Sequence, residues 1–188
     1  MSESSLRRSQ LTREQILTAL TALNGALAER GVVGELCLFG GAVMVLAFNA
    51  RLATKDVDAI FQPASLIREL ARQIAVSAGL PVNWLNDGVK GYGSARHEAT
   101  SGSLPQFDHL RLTMPTAEYL LAMKCPASRI GAGEGEADDS ADIIFLIRHL
   151  GLRSPDAVMD IVSAYYPPPR IPVKAQFLVE SLFEEGRI

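Results

Sequence analysis

The sequence predicts an α+β fold, and three observations carry that reading. Up to about residue 113, short apolar runs of strand length are mixed with longer segments of helical periodicity. From 114 onward only helical segments follow. Most helical segments are punctuated by caps, glycines or prolines, and the least regular stretch, 80–106, is rich in Gly, Asn and Ser. The expected organisation is a mixed core over 1–113 and a helical segment over 114–188. At 188 residues the chain is long enough to close both into one compact unit.

In chain order, "LTREQILTALTALNGALAERG" reads as the first helix, with Thr12 as cap, Gln15 three residues on and Gly31 as stop. "GELCLF" is a short buried strand, and Gly40-Gly41 a turn. "AVMVLAFNA" is apolar nearly all round, as expected of a helix buried against a sheet. "DVDAIF" is the second strand, and "PASLIRELARQIAVSAG" a helix from Pro63 to Gly79. "QFDHLRLTM" alternates Phe107, His109 and Arg111 against Asp108, Leu110 and Leu112, a third strand. Four helices follow: "PTAEYLLAMKC", which ends before Pro126, "DDSADIIFLIRHLG", "SPDAVMDIVSAYYP" with Ser154 as cap, and "VKAQFLVESLFEE".

The formal net charge of −3 gives no basic footprint of a dedicated nucleic-acid binder, although a local basic patch is compatible with it. Cys37 and Cys125 lack metal-ligand spacing and read as reduced thiols. His97, His109 and His149 form no zinc pattern. The first ten residues are polar with no apolar run behind them, and nowhere do roughly 18 consecutive apolar residues occur. The expectation is a soluble cytoplasmic protein with no membrane partner and a frayed N-terminal tail.

Chemistry concentrates in "FGGAVMVLAFNARLATKDVDAIF". On a strand, residues two apart share a face, so Asp56 and Asp58 project together while Val57 and Ala59 pack the other way. Adjacent carboxylates repel, and a proton or a divalent cation relieves the repulsion. Mg²⁺ takes one or two carboxylates and fills its shell with water and phosphate oxygens. A glycine turn opening a helix supplies free N–H groups for a phosphate chain. Strand, Gly40-Gly41, helix and a strand bearing Asp56 and Asp58 thus bring an anion cradle and a metal clamp together.

These residues, with "YLLAMKCPASR" and "DDSADIIFLI" downstream, resemble the nucleotidyltransferases of the DNA polymerase β superfamily. More narrowly they resemble the AbiEii-like branch, the abortive-infection toxins of toxin–antitoxin systems and their bacterial relatives. The resemblance spans roughly residues 34–166. It implies a nucleotidyltransferase-fold mixed sheet with flanking helices, followed by a helical segment that completes the active site. It implies Mg²⁺-dependent transfer of a nucleotidyl group from a nucleoside triphosphate to an acceptor, which is an RNA (tRNA among the candidates), a protein or a small molecule. It also implies an antitoxin protein as a partner.

Position by position, Gly40 and Gly41 match the glycine motif and Asp56 and Asp58 the catalytic, metal-binding pair. Lys124 matches the helical lysine taken to contact the triphosphate, and Asp139 or Asp142 the acidic residue after it. Two departures stand out. The link "IGAGEGEAD" is longer than usual, which leaves Asp138, Asp139 and Asp142 as alternatives. The third carboxylate common on a later strand has only Asp108 as a candidate, on a face shared with Leu110 and Leu112. One metal is expected to activate the acceptor hydroxyl and another to steady the leaving pyrophosphate.

Plainer readings stand beside these. Lys124 near a helix end favours the dipole there, and Asp138, Asp139 and Asp142 near a helix start serve as cap and dipole residues. Arg51 and Lys55 either neutralise a triphosphate or solvate a loop. Trp84 reads as packing rather than a base platform, and "GVKGYG" as a loop without P-loop context. Two rival functions follow. One is a catalytically degenerate nucleotidyltransferase fold that binds nucleotide or a protein. The other is an antitoxin-like interaction protein whose aspartates pair with Arg51 and Lys55.

Overall fold

The computed structural model describes residues 10–88, 98–128 and 139–188. The N-terminal tail, His97, the "GVKGYG" segment beyond Gly88 and the acidic link with Asp138 lie outside these. The fold is α+β: among the described residues there are seven α-helices, a mixed five-stranded sheet and a two-stranded ribbon. None of these helices is long and apolar enough to cross a membrane. The chain divides into two units, 1–90 with 99–114, and 91–98 with 115–188.

In the first unit, β1 (Leu11–Thr12) runs into α1 (Arg13–Glu29). A capping box sets that start: Thr12 Oγ1 accepts from the Gln15 N–H, while Gln15 Oε1 accepts from the Thr12 N–H. Then come β2 (Gly34–Leu38), α2 (Gly40–Leu46), β3 (Ala53–Thr54), β4 (Val57–Gln62) and α3 (Ala64–Ala78). β5 (Leu85–Asn86), β6 (Ala99–Thr100) and β7 (Leu110–Pro115) complete it. The sheet order is β5-β4-β2-β7-β6, and β1 pairs with β3.

β4 is antiparallel to β2, with Leu38 opposite Ala59 and Leu36 opposite Phe61. β7 and β2 are parallel, as are β5 and β4. Alternation along the strands splits the sheet into two faces. Leu36, Leu38, Val57, Ala59, Phe61, Leu110, Leu112 and Met114 are buried. The opposite set, Glu35, Ile60, Gln62 and Arg111 with half-buried Cys37, Asp58 and Thr113, forms a more open face. α1 and α3 bring buried Leu20, Leu23, Leu27, Ile67, Leu70 and Ile74 to the core. Burial of this size is the main stabilising term. Asn24 on α1 pins the approach to β7 by accepting from the His109 N–H at 2.8 Å.

Several expectations shift. The glycines 40 and 41 form the first turn of α2 itself, and α2 stops at Leu46 instead of continuing to residue 50. The Gln62–Pro63 peptide is cis, and Pro63 is the N-cap of α3 rather than its first helical residue. Trp84 is buried and donates its indole N–H to Ala71 O at 2.9 Å, so it is packing. β7 starts at Leu110, four residues later than the alternation suggests, and takes Pro115 as its last residue. Asp108 is therefore exposed and precedes the strand.

The second unit is helical: α4 (Ala117–Ala127), α5 (Asp139–His149), α6 (Pro155–Tyr165), a 3-10 turn at Pro168–Arg170 and α7 (Val173–Glu184). α4 packs against the other three and is buried continuously from Tyr119 to Cys125. It runs one residue past Pro126 and closes with the Ser128 N–H on Lys124 O. Thr116 and Ser154 cap α4 and α6 through their hydroxyls.

Candidate functional site

The end of β2 and the start of β4 lie side by side at one end of the sheet's central strands. Register places Asp58 on β4 beside Asn86 on β5, and the Phe39 N–H donates to Asp58 O at 2.8 Å. That bond fixes the residue before Gly40 against the strand bearing Asp58. Gly40 has φ +57°, a conformation glycine adopts without a Cβ penalty. A Cβ built there would lie 3.5 Å from Asp58 Oδ2. Two glycines and a carboxylate far apart in sequence are thus brought together by the β2–β4 pairing.

Gly41 is required for a different reason. A Cβ at that position would collide with Oγ1 of the buried Thr54, while Arg51 Nη1 stands 3.6 Å from the same point. Thr54 on β3 therefore walls the glycine turn, and Arg51, two residues before β3, brings a guanidinium beside it.

Asp56 lies one residue before β4 and is half-buried, as is Asp58. Burial pushes the Asp56 carboxyl above its ordinary range. The charge of Lys55 and a hydrogen bond from the Asn86 side chain pull it back down. Asn86 Oδ1 also accepts from the Gly88 N–H at 2.8 Å, turning the chain so that a Cβ on Gly88 would lie 3.4 Å from Asp58 Oδ1. Gly40 and Gly88 thus approach the two oxygens of Asp58.

Asp56 and Asp58 are the residues here that suit a metal. Mg²⁺ takes one or two carboxylates together with water and phosphate oxygens, and two aspartates are donors of that kind. Among the described residues, no group of three or more His, Cys, Asp and Glu side chains gathers at metal-binding distance. Asp108 does not extend the pair. β7 is parallel to β2, so Asp108 lies at the far edge, next to His109, whose carbonyl accepts from the Gly34 N–H. The end of β7 at the Asp58 edge carries Thr113, Met114 and Pro115, with no carboxylate.

The other three candidates meet in the second unit. Lys124 on α4 is buried, and its ammonium lies 2.6 Å from Asp142 Oδ2 and 3.2 Å from Asp139 Oδ1, both in the first turn of α5. Asp142 is 1% exposed. Both contacts are ion pairs, and the one to Asp139 is also a hydrogen bond. A lone buried ammonium is costly, and these two carboxylates meet that cost. Next to Lys124, the Cys125 thiol is fully buried and pushed up to about 12 by desolvation.

Sequence reasoning singled out neither Asn86 nor Thr54. Asn86 stands in "NWLND" two residues after Trp84, on a strand of two residues with no periodicity to reveal it. Thr54 is likewise on a two-residue strand. Comparison of the chain with family models, curated proteins and solved structures found no match.

Proposed function

We propose that the protein is a Mg²⁺-dependent nucleotidyltransferase that moves a nucleotidyl group from a nucleoside triphosphate to an RNA, protein or small-molecule acceptor. One observation carries the reading: Gly40 abuts the Asp58 carboxylate at the end of the central strands where half-buried Asp56 also lies. The acceptor hydroxyl oxygen forms a bond to the α-phosphorus as the bond from that phosphorus to the bridging oxygen breaks. Pyrophosphate leaves, and the hydroxyl proton passes to solvent. Bound Mg²⁺ supplies charge neutralisation and orientation of the phosphates.

In this reading Asp56 and Asp58 hold the cation, and the glycine turn lets the triphosphate approach the backbone. The phosphate contact of Lys124, with Asp139 or Asp142 as the acidic residue after it, belongs to the sequence resemblance. The role of toxin and the antitoxin partner rest on the sequence resemblance alone.

A second reading has its own support. β7 brings no carboxylate to the Asp58 edge, and the Lys124 charge is already met by two aspartates. Both features suit a nucleotidyltransferase-type module that binds nucleotide without transferring it. Pyrophosphate release during incubation with Mg²⁺ and each nucleoside triphosphate, with cell lysate as acceptor source, separates the two. Release by wild type but not by Asp58→Asn supports the enzyme. A Mg²⁺-nucleotide thermal shift without release supports the binding module, and neither signal removes both.

A further inference from the structure

α2 is seven residues long, with no side-chain cap at its start and no basic residue of its own in its last turn. A helix this short is marginal without outside contacts, and the carbonyls at its C-terminal end need donors from beyond it. Val43 O accepts from the Ala47 and Phe48 N–H groups, and Met44 O from the Ala50 N–H at 2.8 Å. Val45 O and Leu46 O both take their bonds from one atom, Arg13 Nη1, at 2.9 and 2.7 Å. Ser103 Oγ donates to Ala47 O at 2.7 Å. Every carbonyl from Val43 to Ala47 is thus held, two of them by a single guanidinium nitrogen.

Arg13 is badly placed for its own helix. It is the first residue of α1, where the helix dipole disfavours a cation. At the C-terminal end of α2 the same charge is favourable, and hydrogen bonds from a charged donor are stronger than neutral ones. The two residues before it grip the strand that follows α2, for Leu11 pairs with Thr54 and Thr12 with Ala53. Thr54 is the residue that walls Gly41. Residues 11–13 therefore secure α2 at its far end and β3 at the glycine turn.

We propose that Arg13 is a positioning residue that keeps Gly40 against the Asp58 carboxylate from the opposite end of α2. The inference rests on the proposed function for what binds at that turn. A helix of two turns moves as one piece. Freeing its C-terminal end lets Gly40 leave Asp58 and loosens the bond from the Phe39 N–H to Asp58 O. Affinity for a triphosphate then falls with the fraction of molecules in which the turn is in place.

The test is native-state hydrogen exchange of the full chain by nuclear magnetic resonance, with calorimetric titration of magnesium tripolyphosphate, a probe without a base. Arg13→Gln is expected to speed exchange of the Phe39, Ala47 and Phe48 amides by at least about tenfold. The Val57 amide, bonded to Trp84 O, is expected to exchange as in wild type. Tripolyphosphate is expected to bind about tenfold more weakly, and Arg13→Lys, which keeps the charge, to restore part of both effects. Should Arg13→Gln fail to fold, Arg13→Lys and Ser103→Ala at its exposed position carry the test in the same direction. Wild-type exchange at these amides in whichever variant folds overturns the inference and leaves the proposed site standing. Faster exchange with wild-type affinity makes Arg13 a packing contact only and also overturns it. Absence of tripolyphosphate binding to wild type overturns both.

Discussion

The Lys124 ammonium and the Asp142 carboxylate meet at 2.6 Å inside the helical unit, both almost wholly shielded from water. Asp139 closes on the same ammonium at 3.2 Å from a more exposed position, its side chain 35% accessible. The three joins α4 to α5 and makes the two aspartates unequal.

That inequality sets the first prediction. Asp142→Ala leaves a buried ammonium with a single, half-exposed partner and is expected to destabilise the fold by about 3–5 kcal/mol. Asp139→Ala is expected to cost less than about 1 kcal/mol, as for a solvent-screened pair. Replacing both charges, Lys124→Met with Asp142→Leu, is expected to recover much of the loss. Urea titration of the four proteins checks this, and equal costs at the two aspartates would contradict it.

Gly41 gives a packing prediction. Gly41→Ala drives a methyl into Thr54, and overpacking of this kind costs about 1–3 kcal/mol. In a Thr54→Ala background the cost is expected to shrink, because the colliding hydroxyl is gone. A double-mutant cycle by thermal melting measures the coupling. Full additivity would place the strain elsewhere.

The cysteines differ in reactivity. The Cys125 thiol has its pKa pushed up to about 12, and burial also raises that of half-buried Cys37. Both stay protonated at pH 8, so alkylation by iodoacetamide in the native state is expected to be slow, and slowest at Cys125. The sign follows from the raised values. Their stabilising effect is intact below the ordinary thiol value of 9.0 and is lost as pH rises through the folded values. Mass spectrometry after timed alkylation, with a denatured control, resolves the two sites.

Asp56 predicts a pH-dependent response to Mg²⁺. Its carboxyl is raised above 3.8, so its contribution favours the metal-free fold below that value and is lost as pH rises through the folded pKa. A cation binds the ionised form. The gain in melting temperature on adding Mg²⁺ is therefore expected to grow with pH through that window. Asp56→Asn is expected to remove most of the growth. A constant gain across the window would mean that Asp56 does not bind the cation.

Elements with strong local signals were legible in the sequence. Thr12 and Gln15 announce a capping box that forms, and the period-two alternation of Val57, Ala59 and Phe61 puts those residues in the core. What escaped was structure made only by pairing. β1, β3, β5 and β6 have two residues each, too short for any periodicity, yet β3 supplies Thr54 and β5 supplies Asn86. The contact between Gly40 and Asp58 was suggested by motif order, but its geometry depends on the antiparallel register of β2 and β4. Asp108 misled because the alternation runs smoothly through a segment that enters the sheet only at Leu110, at the wrong edge for an acid.

The most direct test of the central claim follows label from each α-labelled nucleoside triphosphate, with Mg²⁺ and either total RNA or lysate protein as acceptor. Wild type and Asp58→Asn run side by side, with circular dichroism showing that both are folded. The account predicts transfer by wild type and none by Asp58→Asn, and the labelled fraction identifies the acceptor class. Equal transfer by the two proteins would contradict it.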